Sequence, residues 1–153
     1  MNAAERRSFF TSSGFPNRRC RNQLIPFRSC HPDLSLPIIP GLADQIRQVI
    51  LNLFMNAVEA VKDSGRLVAT TKFIEEQDEV FLSITDDGAG IDPSILPNIF
   101  DAFITNKERG TGLGLTISYD IILKHRGRIT AENNPDGGAT FKIWLPAGRR
   151  EMA

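Results

Sequence analysis

The chain has 153 residues, about the size of one ordinary domain, and its hydrophobic fraction of 41% is enough to form a buried core. Its 18 basic and 18 acidic residues cancel, so the net charge predicts neither a nucleic-acid partner nor direct contact with a membrane. No apolar stretch approaches the roughly 20 residues that a transmembrane helix needs, and the N-terminus lacks the apolar region of a signal peptide. These features predict a cytoplasmic protein.

Residues 1–33 differ in composition from the rest of the chain. Residues 1–32 contain six arginines and one acidic residue, Glu5, and they show no sustained hydrophobic period. We expect an irregular basic segment with one possible strand near 23–29, followed by a domain over 34–148 and a tail over 149–153. The two cysteines, Cys20 and Cys30, do not imply a disulfide framework, so a reducing compartment is expected.

The spacing of apolar residues predicts an amphipathic helix from Asp44, as its N-cap, to about residue 63. Leu51, Met55 and Val58 lie opposite the polar side, which predicts a helix that is covered on that face too. The polar residues form a single stripe: Gln45, Gln48, Asn52, Asn56, Glu59 and Asp63.

The remaining elements follow in pairs. Strands are predicted over 66–74 and 79–86, then a short helix from Asp92 and Pro93 to Ile99, and a long loop. A second helix over 112–125 precedes strands over 128–134 and 139–146. Runs of paired strands with intervening helices indicate an α+β fold, a two-layer sandwich of antiparallel strands with helices on one face.

Asn52 and Asn56 are unusual residues for the interior of a helix, because an asparagine side chain competes for backbone hydrogen bonds. A solvated helix face more often carries Lys, Glu or Arg. An amide between the core and a polar cavity offers an oxygen to a hard cation, and Mg²⁺ is commonly held by few protein oxygens together with phosphates. The pair therefore suggests a nucleotide site.

Two further motifs fit nucleotide chemistry. The stretch 86–90 reads DDGAG at the end of a strand, where a carboxylate can accept a hydrogen bond from an exocyclic amine. Gly110, Gly112 and Gly114 precede a helix whose free amides can bind phosphate, and Lys107 can add a point charge. The spacing matches neither a dinucleotide-binding fingerprint nor a P-loop.

Taken in order, the motifs resemble those of the ATP-binding catalytic domain of sensor histidine kinases. QVILNLFMNAVEA is similar to the N box, DDGAGI to the G1 box, IFDAFITNK to the F box and GTGLGL to the G2 box. The resemblance runs from about Asp33 to Pro146. It implies a Bergerat-type ATP-binding fold, a mixed and mostly antiparallel sheet under three helices, with ATP and Mg²⁺ as cofactors.

The resemblance also implies roles for individual residues. Asn56 would be the Mg²⁺ ligand, and Asn52 and Lys107 would serve catalysis by positioning the metal and the phosphates. Asp87 would bind the adenine amine. The other residues expected to contact the nucleotide are Gly88, Gly90, Ile91, Phe103, Thr105, Gly110, Thr111, Gly112, Leu113, Gly114, Leu115 and Thr140. Phe100 and Phe103 would anchor a lid across 101–111.

Position 52 favours a kinase over a hydrolase. Related ATPases of the gyrase type carry a water-activating glutamate there, whereas the amide of Asn52 cannot accept a proton. The resemblance implies phosphoryl transfer to a histidine on a separate dimerisation domain and, through it, to a response regulator.

Neither His31 nor His125 has the setting of a phosphoacceptor. The alternatives are a non-catalytic module that binds ATP or a partner, an anti-sigma-type serine kinase and an ATPase.

Overall fold

The structure, a computed structural model, describes residues 27–31, 36–61, 65–105 and 110–148. The elements in chain order are strand β1 (Phe27–His31), helix α1 (Ala43–Ala60), strand β2 (Leu67–Ile74), strand β3 (Glu79–Asp86), helix α2 (Gly114–Lys124), strand β4 (Arg128–Asn133) and strand β5 (Ala139–Pro146). The two long helices and the four strands from β2 to β5 confirm the elements predicted from hydrophobic periodicity.

The five strands form one sheet in the order β1-β2-β3-β5-β4. Strands β2, β3, β5 and β4 pair antiparallel, whereas β1 runs parallel to β2. Strand β1 overlaps the strand expected near 23–29, so the sheet includes residues from the segment that the sequence separated from the domain. The α+β class and the mixed sheet are as predicted.

The core lies between the sheet and the two helices. Val49, Leu53 and Ala57 of α1 are buried at spacings of four residues, and Ile122 of α2 is fully buried against the same cluster. The inner face of the sheet completes the core with Leu67, Ile84, Ile129, Phe141, Ile143 and Leu145. Among the described residues, neither helix has the length and apolar character needed to cross a membrane.

The expectation of three helices was wrong for the described residues, in which only α1 and α2 are α-helical. The segment expected to form the third helix makes a turn, closed by a hydrogen bond from Leu96 N to Asp92 O at 3.0 Å, and then a short 3₁₀ helix, Leu96–Asn98. Pro97 explains the difference, because proline lacks an N–H and its ring clashes with the carbonyl four residues earlier. Asp92 still caps the turn by accepting from Ser94 N at 2.8 Å.

The N-terminal end of α1 also differs from the prediction. The N-cap is Leu42, which makes no side-chain capping bond, and Asp44 lies in the first turn, where it forms an ion pair with Arg47. A carboxylate in the first turn still favours the helix, because it lies near the positive end of the helix dipole. The backbone N–H of Leu42 donates instead to His125 Nε2 at 3.1 Å, at the end of α2.

The outer face of α1 is not covered as expected. Leu51 and Met55 are 55% and 52% exposed, whereas Val58 packs partly against the core. The helix therefore has one apolar face in the core and a second, smaller apolar face at the surface.

Candidate functional site

A cavity of about 490 Å³ opens between α1, α2 and the ends of β3 and β5. Helix α1 forms one wall with Asn52, Asn56, Glu59 and Ala60. The sheet and the loop after β3 contribute Asp86, Gly90, Ile91, Ala139 and Phe141. The cavity is therefore polar along α1 and at Asp86, and apolar along the sheet.

The amides of Asn52 and Asn56 lie on one wall because they are four residues apart on a helix, where residues at this spacing share a face. The core stripe next to them fixes which way that face points, since Leu53 and Ala57 are almost completely buried. Glu59 follows one turn after Asn56 and adds a carboxylate to the same wall.

The orientation of Asn52 is fixed by the start of α2. Asn52 Nδ2 donates to Ser118 Oγ at 2.9 Å, and Ser118 Oγ donates to the carbonyl of Gly114 at 2.9 Å. A Cβ at Gly114 would lie 2.6 Å from Asn52 Oδ1, so only glycine lets the two helices approach this closely. Asn52 thus joins the two helices that border the cavity.

Asp86 is the buried carboxylate of the site. It is 2% exposed, and its Oδ1 accepts from the backbone of Gly88 at 2.9 Å and of Ala139 at 3.3 Å. Burial raises the pKa of Asp86, the two backbone hydrogen bonds lower it and the neighbouring Asp87 raises it, with a net increase. A buried carboxylate beside an apolar wall is suited to bind a hydrogen-bond donor that is itself part of an apolar ring.

The structure favours Asp86 over Asp87, the residue expected to bind the adenine amine, as the carboxylate that lines this cavity. Asp87 is exposed, does not line the cavity, and accepts from Arg66 N at 2.6 Å. Side chains alternate along a strand, and Ile84 and Asp86 share the inner side of β3. The alternation of apolar residues at even positions of this strand was the signal that could have identified Asp86 from the sequence.

Two glycines of the loop after β3 shape the site. Gly88 does not line the cavity, but a Cβ there would lie 2.4 Å from the carbonyl oxygen of Ala60, so glycine lets the loop approach the end of α1. Gly90 lines the cavity with a φ of 76°, which glycine adopts without strain.

The segment before α2 forms the opposite border of the cavity. The residues of this segment that line the cavity are Ile104, Thr105, Gly110, Thr111 and Gly112, and the first turn of α2 adds Gly114 and Leu115. Gly112 lies next to Phe103, and the backbone N–H of Phe103 donates to the carbonyl oxygen of Gly112 at 3.0 Å. Leu113 and Phe103, both expected to contact the nucleotide, do not line the cavity and are 36% and 75% exposed.

Phe100 and Thr140 lie outside the lining of this cavity. Phe100 stacks on Tyr119 of α2 with ring centroids 5.4 Å apart, which attaches the beginning of this segment to the helix. Thr140 is buried outside the lining of the cavity, where its Oγ1 donates to Asn134 Oδ1 at 2.7 Å. Lys107 lies outside the described residues.

The donor set of the cavity fits Mg²⁺ only together with a ligand. The described residues contain no cluster of three or more His, Cys, Asp or Glu that could hold a metal ion. Asn56 and Glu59 offer hard oxygen ligands on one helix face, and Mg²⁺ in nucleotide sites is commonly held by one or two protein oxygens plus phosphates and water.

Comparison with known proteins identifies the domain. A family model described as histidine kinase-, DNA gyrase B- and HSP90-like ATPase matches residues 41–149. The chain belongs to this ATPase family. The histidine kinase-like ATPase domain thus includes both helices, four of the five strands and the whole cavity.

The relatives of this ATPase domain are sensor kinases. FixL, a sensor protein of Bradyrhizobium diazoefficiens, is 45% identical over 127 residues, which are 78% of this chain and 25% of FixL. The structure of a mycobacterial sensor histidine kinase, MprB, has a TM-score of 0.66 at 28% identity, covering 71% of this chain and 76% of that one. Full-length ShkA, solved in complex with AMPPNP, has a TM-score of 0.64 at 30% identity, covering 74% of this chain and 24% of ShkA.

These comparisons confirm the resemblance to the catalytic domain of sensor histidine kinases. The chain spans a quarter or less of the length of the curated relatives FixL, sporulation kinase E of Bacillus subtilis and ZraS of Escherichia coli.

Proposed function

We propose that the chain binds Mg²⁺–ATP in this cavity and donates the γ-phosphoryl group to a histidine on a separate dimerisation domain, as the catalytic domain of a two-component sensor histidine kinase. The observation that supports this most directly is the shared cavity. The buried carboxylate of Asp86 and the amides of Asn52 and Asn56 line the same space. That arrangement suits a ligand with a base at one end and a charged triphosphate at the other.

In this proposal Asp86 accepts a hydrogen bond from the exocyclic amine of adenine. The apolar side chains of Ile91 and Phe141 line the same cavity and provide surface for the ring. Bound ATP brings the transferable phosphoryl group, and bound Mg²⁺ neutralises part of the phosphate charge.

The phosphates would lie between the two helices. Asn56 would hold Mg²⁺ through its amide oxygen, and Asn52 would position the phosphates from an orientation that Ser118 fixes. The backbone amides at the start of α2, near Gly112 and Gly114, would bind phosphate at the positive end of the helix dipole. Lys107 adds a positive charge.

The transfer needs a nucleophile from outside this domain. An imidazole nitrogen of the partner histidine forms a bond to the γ-phosphorus while the bond to the bridging oxygen breaks, and ADP leaves with the electron pair. The imidazole then loses its proton to solvent. Positioning and charge neutralisation provide most of the catalysis in such a reaction.

The surface beside the cavity supports a helical partner. Leu51 and Met55 of α1 are about half exposed, and α2 exposes Ile117 at 44%. Exposed apolar residues at helical spacing are suited to pack against another amphipathic helix. We assign this face to the histidine-bearing dimerisation domain, which would pass the phosphoryl group on to a response regulator.

The test is a transfer assay with a separately produced histidine-bearing dimerisation domain and ATP labelled in the γ-phosphate. We expect acid-labile label on that domain, and we expect Leu51→Asp combined with Met55→Asp to abolish labelling without weakening ATP binding. Leu123→Asp is the matched control, because Leu123 is 48% exposed near the other end of α2. If ATP binds and no partner is labelled, the domain is a non-catalytic nucleotide-binding module.

An ATPase is the second candidate, because the carboxylate of Glu59 lines the cavity and could accept a proton from water. Steady release of phosphate by the isolated chain, lost in Glu59→Gln, would favour hydrolysis. Label transfer that survives this substitution would favour the kinase.

A further inference from the structure

Two consecutive asparagines at the turn from β4 to β5 contact both ends of the loop 86–91. Asn133 is the last residue of β4, and Asn134 begins the turn. Neither lines the cavity, and the sequence motifs include neither. Their hydrogen bonds nevertheless end on Asp86 and Ile91, the two cavity residues that bound the loop.

Asn133 holds the far end of the loop. Its Oδ1 accepts from Ile91 N at 2.7 Å, and its Nδ2 donates to Ile91 O at 2.7 Å. The amide thus pairs with both backbone groups of one residue, as a neighbouring strand would. Gly90 makes room for it, because a Cβ there would lie 3.0 Å from Asn133 Oδ1.

Asn134 holds the near end. Its Nδ2 donates to the carbonyl oxygen of Asp86 at 3.1 Å, and its Oδ1 accepts from Thr140 Oγ1 at 2.7 Å. Thr140 in turn shares a hydrogen bond with Thr85 Oγ1 at 3.0 Å, so the hydroxyl fixes which end of the amide points to Asp86. Thr140, predicted at the adenine end, is therefore a partner of Asn134 outside the lining of the cavity.

The geometry points to Asn133 and Asn134 as positioning residues that set the base specificity of the nucleotide site. The inference rests on the proposed binding of ATP. Asn134 fixes the backbone from which the Asp86 carboxylate projects, and Asn133 fixes Ile91 on the same side of the cavity. When either amide is removed, the loop between them can shift, and the carboxylate no longer has a fixed distance to the adenine amine.

The test compares ATP with inosine triphosphate, which carries an oxygen in place of the exocyclic amine. Dissociation constants of both are measured for the wild type, Asn133→Ala and Asn134→Ala. We expect the wild type to prefer ATP and the preference to fall about tenfold in each variant, because a misplaced polar partner loses most of its discrimination. The dissociation constant of inosine triphosphate, which lacks the amine but keeps the triphosphate, should change much less than that of ATP.

Glu132→Ala is the matched control. Glu132 precedes the pair on β4 and forms an ion pair with Lys142 at 2.6 Å, so the variant removes a polar contact without touching the loop. Asn133→Asp is a second variant of nearly unchanged shape that keeps the acceptor for Ile91 N and loses the donor. It should fold if Asn133→Ala does not, and its loss of preference should be intermediate.

The outcomes separate the two proposals. Wild-type protein that binds neither nucleotide overturns the proposed function. Wild-type protein that prefers ATP, with the same preference in the folded variants of Asn133 and Asn134, overturns this inference alone. A lower thermal midpoint with an unchanged preference means that the two amides serve only the fold, and it also overturns the inference.

Discussion

Asn52 and Ser118 connect the two helices that border the cavity, with Asn52 Nδ2 donating to Ser118 Oγ at 2.9 Å. Ser118 is 2% exposed, and its own donor bond to Gly114 O fixes the hydroxyl. The same contact therefore contributes to helix packing and to the orientation of a residue proposed to contact phosphate.

Replacing Ser118 by alanine should affect both properties. We expect the free energy of unfolding to fall by about 1–3 kcal/mol, because the hydroxyl makes two hydrogen bonds, and ATP affinity to fall as Asn52 loses its fixed orientation. Denaturant unfolding and calorimetric titration measure the two effects. Thr116→Ala is the control, since its hydroxyl reaches Gly112 O only at 3.4 Å. Unchanged ATP affinity in Ser118→Ala would show that Asn52 does not need this anchor.

The two adjacent aspartates should behave differently. Asp86→Asn replaces an acceptor in the cavity by a group that also presents donors, so we expect a loss of ATP affinity of at least about tenfold. Asp87→Asn should bind ATP like the wild type, because Asp87 lies outside the cavity lining and its carboxylate accepts from the backbone N–H of Arg66. Equal losses in both variants, measured by titration, would contradict the choice of Asp86 over Asp87.

The raised pKa of Asp86 predicts a pH-dependent stability difference. The folded protein binds this proton more tightly than the unfolded chain, whose pKa is near the ordinary value of 3.8. The contribution of Asp86 to the free energy of unfolding is therefore greatest at low pH and falls as pH rises through the range from 3.8 to the raised folded value.

Asp86→Asn removes this titration. Without nucleotide, the stability of the variant relative to the wild type should be higher at about pH 7 than at about pH 4, because the buried carboxyl of the wild type is more ionised at the higher pH. Thermal unfolding at both pH values tests the sign. A relative stability that rises on acidification would mean that the fold favours the ionised form of Asp86.

His125 should contribute to stability without contributing to ATP binding. Its Nε2 accepts from Leu42 N at 3.1 Å, so Nδ1 carries the proton and donates to Ile121 O at 2.8 Å. His125→Ala should lower the free energy of unfolding by about 1–3 kcal/mol, because the first hydrogen bond links the ends of the two helices and the second caps a carbonyl of α2. Lys124→Ala is the control, and a large loss of ATP affinity in His125→Ala would contradict this assignment.

Local pattern was sufficient to predict much of the fold. The apolar spacing around Val49, Leu53 and Ala57 identified α1, and strand alternation identified β2 to β5. The short segment at Pro97 was misread as a helix because a capping aspartate outweighed a proline. The parallel pairing of β1 with β2 joins residues about forty positions apart, and no local period encodes such a contact.

The candidate site was predictable where one helix or one glycine motif carried it. Asn52 and Asn56 line the same wall because residues four apart on a helix share a face. The choice between Asp86 and Asp87 depended on which of two neighbouring side chains lies on the inner side of the sheet. Asn133 and Asn134 could not be identified, because their partners Ile91 and Asp86 are more than forty residues away in sequence. Hydrogen bonds of this kind depend on tertiary structure.

The most direct measurement is a calorimetric titration of the chain with ATP, with and without Mg²⁺, in parallel with Asn56→Ala. The account predicts saturable binding to the wild type that Mg²⁺ strengthens, and a variant in which the Mg²⁺-dependent gain is lost. A wild-type chain that binds no adenine nucleotide at any Mg²⁺ concentration would contradict the claim that Asp86 and Asn56 face one nucleotide cavity.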